Sequence, residues 1–403
     1  MTLEGMEMKG KTLWSRASAL FAGVCLLGAA SDAQAATQLV SAHNGALPAT
    51  AAGNGGSTGP VITPDGRFVV FTSTANNLII GQNGLLTSQV YLYDRLSNTT
   101  SLVSVNTNGT GGGNGHSSQG QVSANGRYVV FLSDASDLVA GDANGLMDIF
   151  ERDLVAGTTS LISVATNGGS GNARSYYPVM TPDGRNVAFI SQASNLVPGD
   201  NNGGDDVFVR DTISGTTTLV TIGATGATIG AVSMDQPGIT PDGRYVTFFS
   251  DAAGMVAGNS AYTPQVFERD MVAGNTTWLS TNLPQSSGYG SIYPLASDNG
   301  RYVSFEYLGP GGLPNFQIFR FDTTTQSNTL ITNNGLHPAP YVPASAFNGY
   351  SIPFPDADTY APRMTSDGRR MVYMSSDRNI HVWDAQTSNN VVVTLDLSNN
   401  PTS

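Results

Sequence analysis

The sequence predicts an all-β protein, a six-bladed β-propeller of four-stranded antiparallel blades with an N-terminal strand helping to close the ring. Three observations lead there. One short phrase recurs six times at spacings of roughly 59 residues. The stretch after each copy alternates apolar and variable residues with a period of two. Charged residues make up only 12% of the chain, their place taken by the Gly, Ser, Thr and Asn of short turns.

The phrase is a hydroxyl residue, any residue, Asp or Asn, then Gly-Arg and an apolar run. Its copies are TPDGRFVVF at 63–71, SANGRYVVF at 123–131, TPDGRNVAF at 181–189, TPDGRYVTF at 240–248, SDNGRYVSF at 297–305 and TSDGRRMVY at 365–373. A single repeat cannot bury its own faces, so the six must pack on one another.

Each repeat begins with a short strand, Val61-Ile62-Thr63 in the first, that runs into Pro64-Asp65-Gly66. Asp-Gly between apolar runs is a strong hairpin signal. Thr63, Ser123, Thr181, Thr240, Ser297 and Thr365 put a hydroxyl before every turn, where it can bond the backbone two residues on. A ring of hydroxyls around a pore is the functional alternative.

In the second strand, Val69, Val129, Val187, Val246, Val303 and Met371 share a face with Phe71, Phe131, Phe189, Phe248, Phe305 and Tyr373. A third strand ends in Asp each time, at Asp94, Asp153, Asp211, Asp270, Asp322 and Asp384, where Asp serves as a local backbone acceptor before a turn. A fourth strand follows: 100–105, 159–164, 217–222 and 276–280 are alike, with 329–332 and 391–395 less so. Residues 37–41 copy this fourth strand ahead of the first repeat, as ring closure requires, yet 391–395 gives the last blade an outer strand of its own. The sequence leaves open which of the two closes the ring.

The N-terminus reads differently. Lys9, Lys11 and Arg16 precede an apolar run from Ala17 to Ala30 and then Ala33-Gln34-Ala35, the pattern of a secretory signal peptide. Residues 1–35 are expected to be removed, leaving a single domain over 36–403 with repeats starting near 60, 120, 178, 237, 294 and 362. The only cysteine, Cys25, leaves with the signal, so no disulfide is expected. Three acids and three bases leave too, so the net charge stays at −12, with no lysine remaining. A net-negative surface argues against nucleic acid, and no later apolar stretch is long enough to span a bilayer.

These residues resemble the TolB-like propeller family, whose blades repeat S-P-D-G-R/K before an apolar strand. The likeness is greatest to secreted bacterial members with repeats of the form seen at 194–211 (SNLVPGDNNGGDDVFVRD) and 136–153 (SDLVAGDANGLMDIFERD). It spans essentially all of 37–403. The resemblance implies a propeller fold; it implies no one function, because propellers host binding modules and enzymes alike.

The loops between second and third strands carry the densest chemistry. Asp142, Asn144 and Asp148 in the second repeat, and Asp200, Asn202, Asp205 and Asp206 in the third, offer hard oxygen donors of the kind calcium takes. Turn preference accounts for the same residues without a metal. In the first and fourth repeats the acids give way to Gly81-Gln82-Asn83-Gly84 and Gly258-Asn259-Ser260. The four histidines, His43, His116, His337 and His381, show no ligand spacing, and His381 stands where other blades have Phe or Tyr. An irregular insertion, 333–360, is rich in Pro and aromatics and either binds or caps.

The expectation is an exported, monomeric, non-catalytic binding or scaffold module, periplasmic or extracellular, for a protein or glycan partner, and calcium-dependent binding is its sharper variant. A carbohydrate-active enzyme, a polysaccharide lyase or hydrolase using the central face, is the alternative.

Overall fold

The computed structural model describes residues 40, 53–79, 87–227, 229, 236–260, 263–284, 290–308, 316–332, 362–374 and 379–394. The chain divides into two compact units, 1–39 and 40–403, and every described residue belongs to the second. The signal peptide, most of the copy at 37–41 and the insertion at 333–360 therefore lie outside the described residues.

Twenty-four described strands form six antiparallel sheets, each of four strands in sequence order without crossovers. In the first sheet β1 is Ser57–Ile62, β2 Phe68–Ser73, β3 Gln89–Asp94 and β4 Thr99–Leu102. The other sheets span 117–161, 175–219, 238–278, 290–330 and 363–392. This is the six-bladed, all-β architecture the sixfold phrase predicts, with no helix among the described residues long and apolar enough to cross a membrane. The sixth sheet has its own fourth strand, Asn389–Val392.

In the first four sheets the second and third strands are the buried centre. Phe71 faces Tyr91 across the ladder with ring centroids 5.6 Å apart. Phe131 with Phe150, Phe189 with Phe208, Phe248 with Phe267 and Phe305 with Phe319 repeat that stack at 5.7–6.0 Å. Stacked pairs of this kind contribute about 1 kcal/mol each beyond area burial. In the sixth sheet His381 stacks on Tyr373 at 5.5 Å, so its imidazole fills an aromatic position, as the sequence indicates.

Every turn of the phrase is held the same way. Thr63 Oγ1 donates to Asp65 Oδ1 at 2.6 Å and accepts the Phe68 N–H at 3.0 Å, while Gly66 N donates to the Thr63 carbonyl. The hydroxyl therefore reaches the backbone five residues on rather than two, closing the loop it begins. Ser123, Thr181, Thr240, Ser297 and Thr365 do likewise.

Consecutive sheets lock through the glycine of that turn. A Cβ on Gly126 would lie 2.3 Å from the ring of Phe68 in the preceding sheet, and one on Gly300 2.2 Å from that of Tyr245. Tyr128 covers Gly184, Asn186 covers Gly243 and Tyr302 covers Gly368 in the same manner. At Gly66, in the first sheet, Arg95 Nη1 is the one atom within 4 Å among the described residues.

Candidate functional site

Antiparallel strands sort the loops to two ends. The phrase turns and the turns between third and fourth strands share one end; the loops between second and third strands share the other.

At the first end, the arginine of each phrase reaches the aspartate that closes the third strand. Arg67 pairs with Asp94 at 2.8 Å, and Arg127–Asp153, Arg185–Asp211, Arg244–Asp270, Arg301–Asp322 and Arg369–Asp384 repeat the pair at 2.7–3.2 Å. The hydrogen-bonded guanidinium holds Asp94, Asp153, Asp211, Asp270 and Asp384 down at about 2. Each aspartate also accepts the backbone N–H two residues on, at Leu96, Val155, Ile213, Val272, Thr324 and Gln386. The local-acceptor role expected of these aspartates is present, together with an arginine partner from the phrase.

The residue thus pinned points outward. Leu96, Val155 and Ile213 are 77% exposed and Val272 78%. The fifth and sixth sheets have Thr324 and Gln386 at this position, so the turn itself requires no aliphatic side chain.

At the opposite end lie the acidic loops. A hydroxyl staple organises the start of every third strand: Ser104 Oγ accepts the Val90 N–H at 3.1 Å and donates to Gln89 Oε1 at 2.6 Å. Ser280 does the same for Val266 and Gln265, and Thr394 for Ile380 and Asn379. Asp148 and Asp206 occupy the Gln89 position, accepting from Ser163 and Thr221. Where the Gln89 amide donates to the Gly113 carbonyl, Asn144 Nδ2 instead bridges Asp148 Oδ2 at 2.6 Å and the Gly171 carbonyl at 2.9 Å. Asn202 Nδ2 meets Asp206 Oδ2 at 2.9 Å.

Burial raises Asp148 and Asp206 to about 6, against these hydrogen bonds and with a contribution from Asp142 and Asp200. Burial also raises Asp142 and Asp200, each 8% exposed and each with an Oδ1 that has no hydrogen-bond partner. Asp205 Oδ1 accepts the Tyr176 hydroxyl. Among the described residues no three His, Cys, Asp or Glu side chains converge.

Further buried acids carry no signal in the repeated phrase, Glu306 of the fifth sheet among them. Glu151 and Glu268 sit mid-strand, raised by burial to about 7 and about 8, each with an unpartnered Oε2. Next in the chain, Arg152 and Arg269, and the equivalent Arg210 after Val209 in the third sheet, donate to Thr159, Thr276 and Thr217 and form no ion pair among the described residues. Arg152 and Arg269 line equivalent seam cavities of about 320 and 270 Å³. His116 Nδ1 accepts the Ser88 N–H at 3.3 Å, while His43 and His337 lie outside the described residues.

No protein-family model and no curated protein matches the sequence. Solved structures do match. TolB from Acinetobacter baumannii is similar at 15% identity and a TM-score of 0.39, over 75% of this chain and 58% of that one, so the chain spans under two thirds of its length. An oligogalacturonate lyase in complex with manganese is similar at 14% identity and a TM-score of 0.49, over 82% of this chain and 75% of that one. The β-propeller domain of the Trilobed protease from Pyrococcus furiosus is similar at 9% identity and a TM-score of 0.46, over 84% of each chain. Neither the identities nor the scores transfer a function.

Proposed function

We propose that this chain is an exported β-propeller, periplasmic or extracellular, that acts as a monomeric, non-catalytic binding scaffold. Its partner is a protein engaged at the end that carries the phrase turns; a glycan is the second class of partner the scaffold suits. The observation that carries this reading is the recurrence of Leu96, Val155, Ile213 and Val272, each over three quarters exposed at one equivalent position in four consecutive sheets. A lone exposed aliphatic needs no explanation, but a repeated set displayed on rigid turns supports a contact surface. A net charge of −12 and the absence of lysine after residue 11 weigh against nucleic acid.

The test is capture from the native envelope with the exported chain and with a variant carrying serine at all four tips. The expected result is one protein retained by the parent chain and lost by the variant at unchanged melting temperature. Equal capture by both would remove this face from the reading, and retention of a polysaccharide instead would replace the protein by a glycan.

A further inference from the structure

We infer that the two seam clefts lined by Arg152 and Arg269 are carboxylate sites, each receiving an aspartate or glutamate side chain of the protein partner, a step that rests on the partner reading above.

The six sheets treat one register position in two ways. The residue before the aspartate of the third strand is Tyr93, Phe321 or Trp383 in the first, fifth and sixth sheets, no more than 3% exposed. In the second, third and fourth sheets it is Arg152, Arg210 or Arg269. The fourth-strand residue opposite changes with it. Opposite Phe321 and Trp383 stand Asn328 and Asn390. Their Nδ2 atoms donate at 3.1 and 2.9 Å to the carbonyls of Leu279 and Ile331, just beyond the fourth strands of the preceding sheets. Opposite the arginines stand Thr159, Thr217 and Thr276, and each arginine bonds its threonine within its own sheet. An aromatic ring with an asparagine therefore fills and bridges the seam. Arginine with threonine leaves the cavities of about 320 and 270 Å³ at Arg152 and Arg269. The fold does not need an arginine here, so its presence calls for a ligand.

The chemistry on offer is that of an uncompensated cation. Nη1 of each guanidinium is given to the threonine at 3.0–3.1 Å, and Nη2 lies against the glycine of the next turn, Gly157, Gly215 or Gly274. Burial works against the charge of all three. Arginine does not relieve such a position by giving up its proton, whereas a carboxylate does relieve it and fits the planar fork. Cavities of this size sit at the lower bound of ligand pockets, about 300 Å³, which suits a side chain. Leu138 and Val139 in one cleft, and Met255 and Val256 in the other, supply apolar walls for its methylene groups. Neither lining includes an aromatic ring on which a sugar could stack. The turns that line the clefts also carry the exposed tips, Val155 two residues before Gly157 and Val272 two before Gly274, so each cleft adjoins the proposed contact face. The net charge of −12 does not forbid an acidic contact, because physiological salt screens exposed charges beyond about 8 Å.

The test titrates the full exported chain, labelled with nitrogen-15 in arginine, with the capped tripeptide leucyl-glutamyl-leucine, its glutamine counterpart and glucuronate. The glutamate peptide should shift the Nε–H signals of Arg152 and Arg269 and bind about tenfold more tightly than the glutamine peptide. Arg152→Gln should abolish the first site and leave the titration of Arg269 unchanged. Arg152→Tyr, which installs the residue of the first sheet, should abolish it too, and circular dichroism checks that both variants fold. Equal binding of the two peptides, a titration indifferent to Arg152→Gln, or shifts with glucuronate alone would each overturn the inference. Envelope capture separates it from the partner reading. A protein retained equally by the parent and by the Arg152→Gln/Arg269→Gln variant would overturn the clefts alone, whereas a parent that retains no protein would overturn the partner reading itself.

Discussion

Arg67 and Asp94, 27 residues apart, meet as a two-pronged ion pair, Nε to Oδ1 at 3.1 Å and Nη2 to Oδ2 at 2.8 Å. The guanidinium also lies over the Phe68 ring, 4.5 Å from its centroid. One side chain therefore ties the phrase turn to the end of the third strand and shields the ring that packs on the next sheet. Planar fork geometry is what lysine cannot reproduce, which accounts for arginine in all six copies.

These pairs are expected to contribute to the acid sensitivity of the fold. Five of the aspartates sit at about 2 in the folded chain against an ordinary 3.8. Their contribution is complete above the ordinary value and is lost as pH falls through the window down to about 2. The melting temperature should hold steady from neutral pH down to about pH 5 as far as these groups are concerned, then drop steeply below about pH 4. Asp270→Asn should lower it by a few degrees at neutral pH and flatten the acid limb.

Glu268 acts in the opposite sense. Burial raises its folded value to about 8 from 4.5, so the folded chain keeps a proton that the unfolded chain releases. Stability falls as pH rises between those values, by at most a few kcal/mol. Glu268→Gln should therefore melt higher than the parent at about pH 8 and close to it at about pH 4, the difference growing across the interval. A pH-independent difference would assign the effect to packing instead.

The hydroxyl staple can be tested in the first sheet, away from the acidic loops. Ser104 is fully buried and serves both the Val90 N–H and Gln89 Oε1. Ser104→Ala strands one donor and one acceptor, for a loss of about 1–3 kcal/mol measured by denaturant unfolding. Ser97→Ala, at an exposed turn, should change stability by less than about 0.5 kcal/mol.

The frame was legible in the sequence because it depends on local, repeated signals. The Thr63 turn, the period of two through Val69 and Phe71, and the Asp94 terminus each announce themselves within a few residues. The Arg67–Asp94 pair joins residues 27 apart, and only their joint recurrence hinted at it. Ser104 was equally visible in the fourth-strand repeats, but what it bonds is set by a strand that lies earlier in the chain. The acidic loops were found by composition, yet the division of labour between Asp148, which staples, and Asp142, which is left over, required the fold. Leu96, Val155, Ile213 and Val272 escaped notice because they read as ordinary aliphatics in a turn, and only their common exposure sets them apart.

The seam between sheets offers a controlled comparison at two equivalent glycines. Gly66 and Gly126 have nearly the same left-handed backbone, φ 70° and 72°. Among the described residues an added Cβ at Gly66 meets nothing closer than 3.5 Å, whereas at Gly126 it meets the Phe68 ring at 2.3 Å. Gly66→Ala thus reports the backbone strain alone, about 1–2 kcal/mol. Gly126→Ala adds the displacement of Phe68 from the neighbouring sheet, about 1–3 kcal/mol more. Pairing Gly126→Ala with Phe68→Ala should recover part of that excess, because the small side chain vacates the space the new methyl needs. Equal losses at the two glycines would mean that the first and second sheets are not held together by this contact.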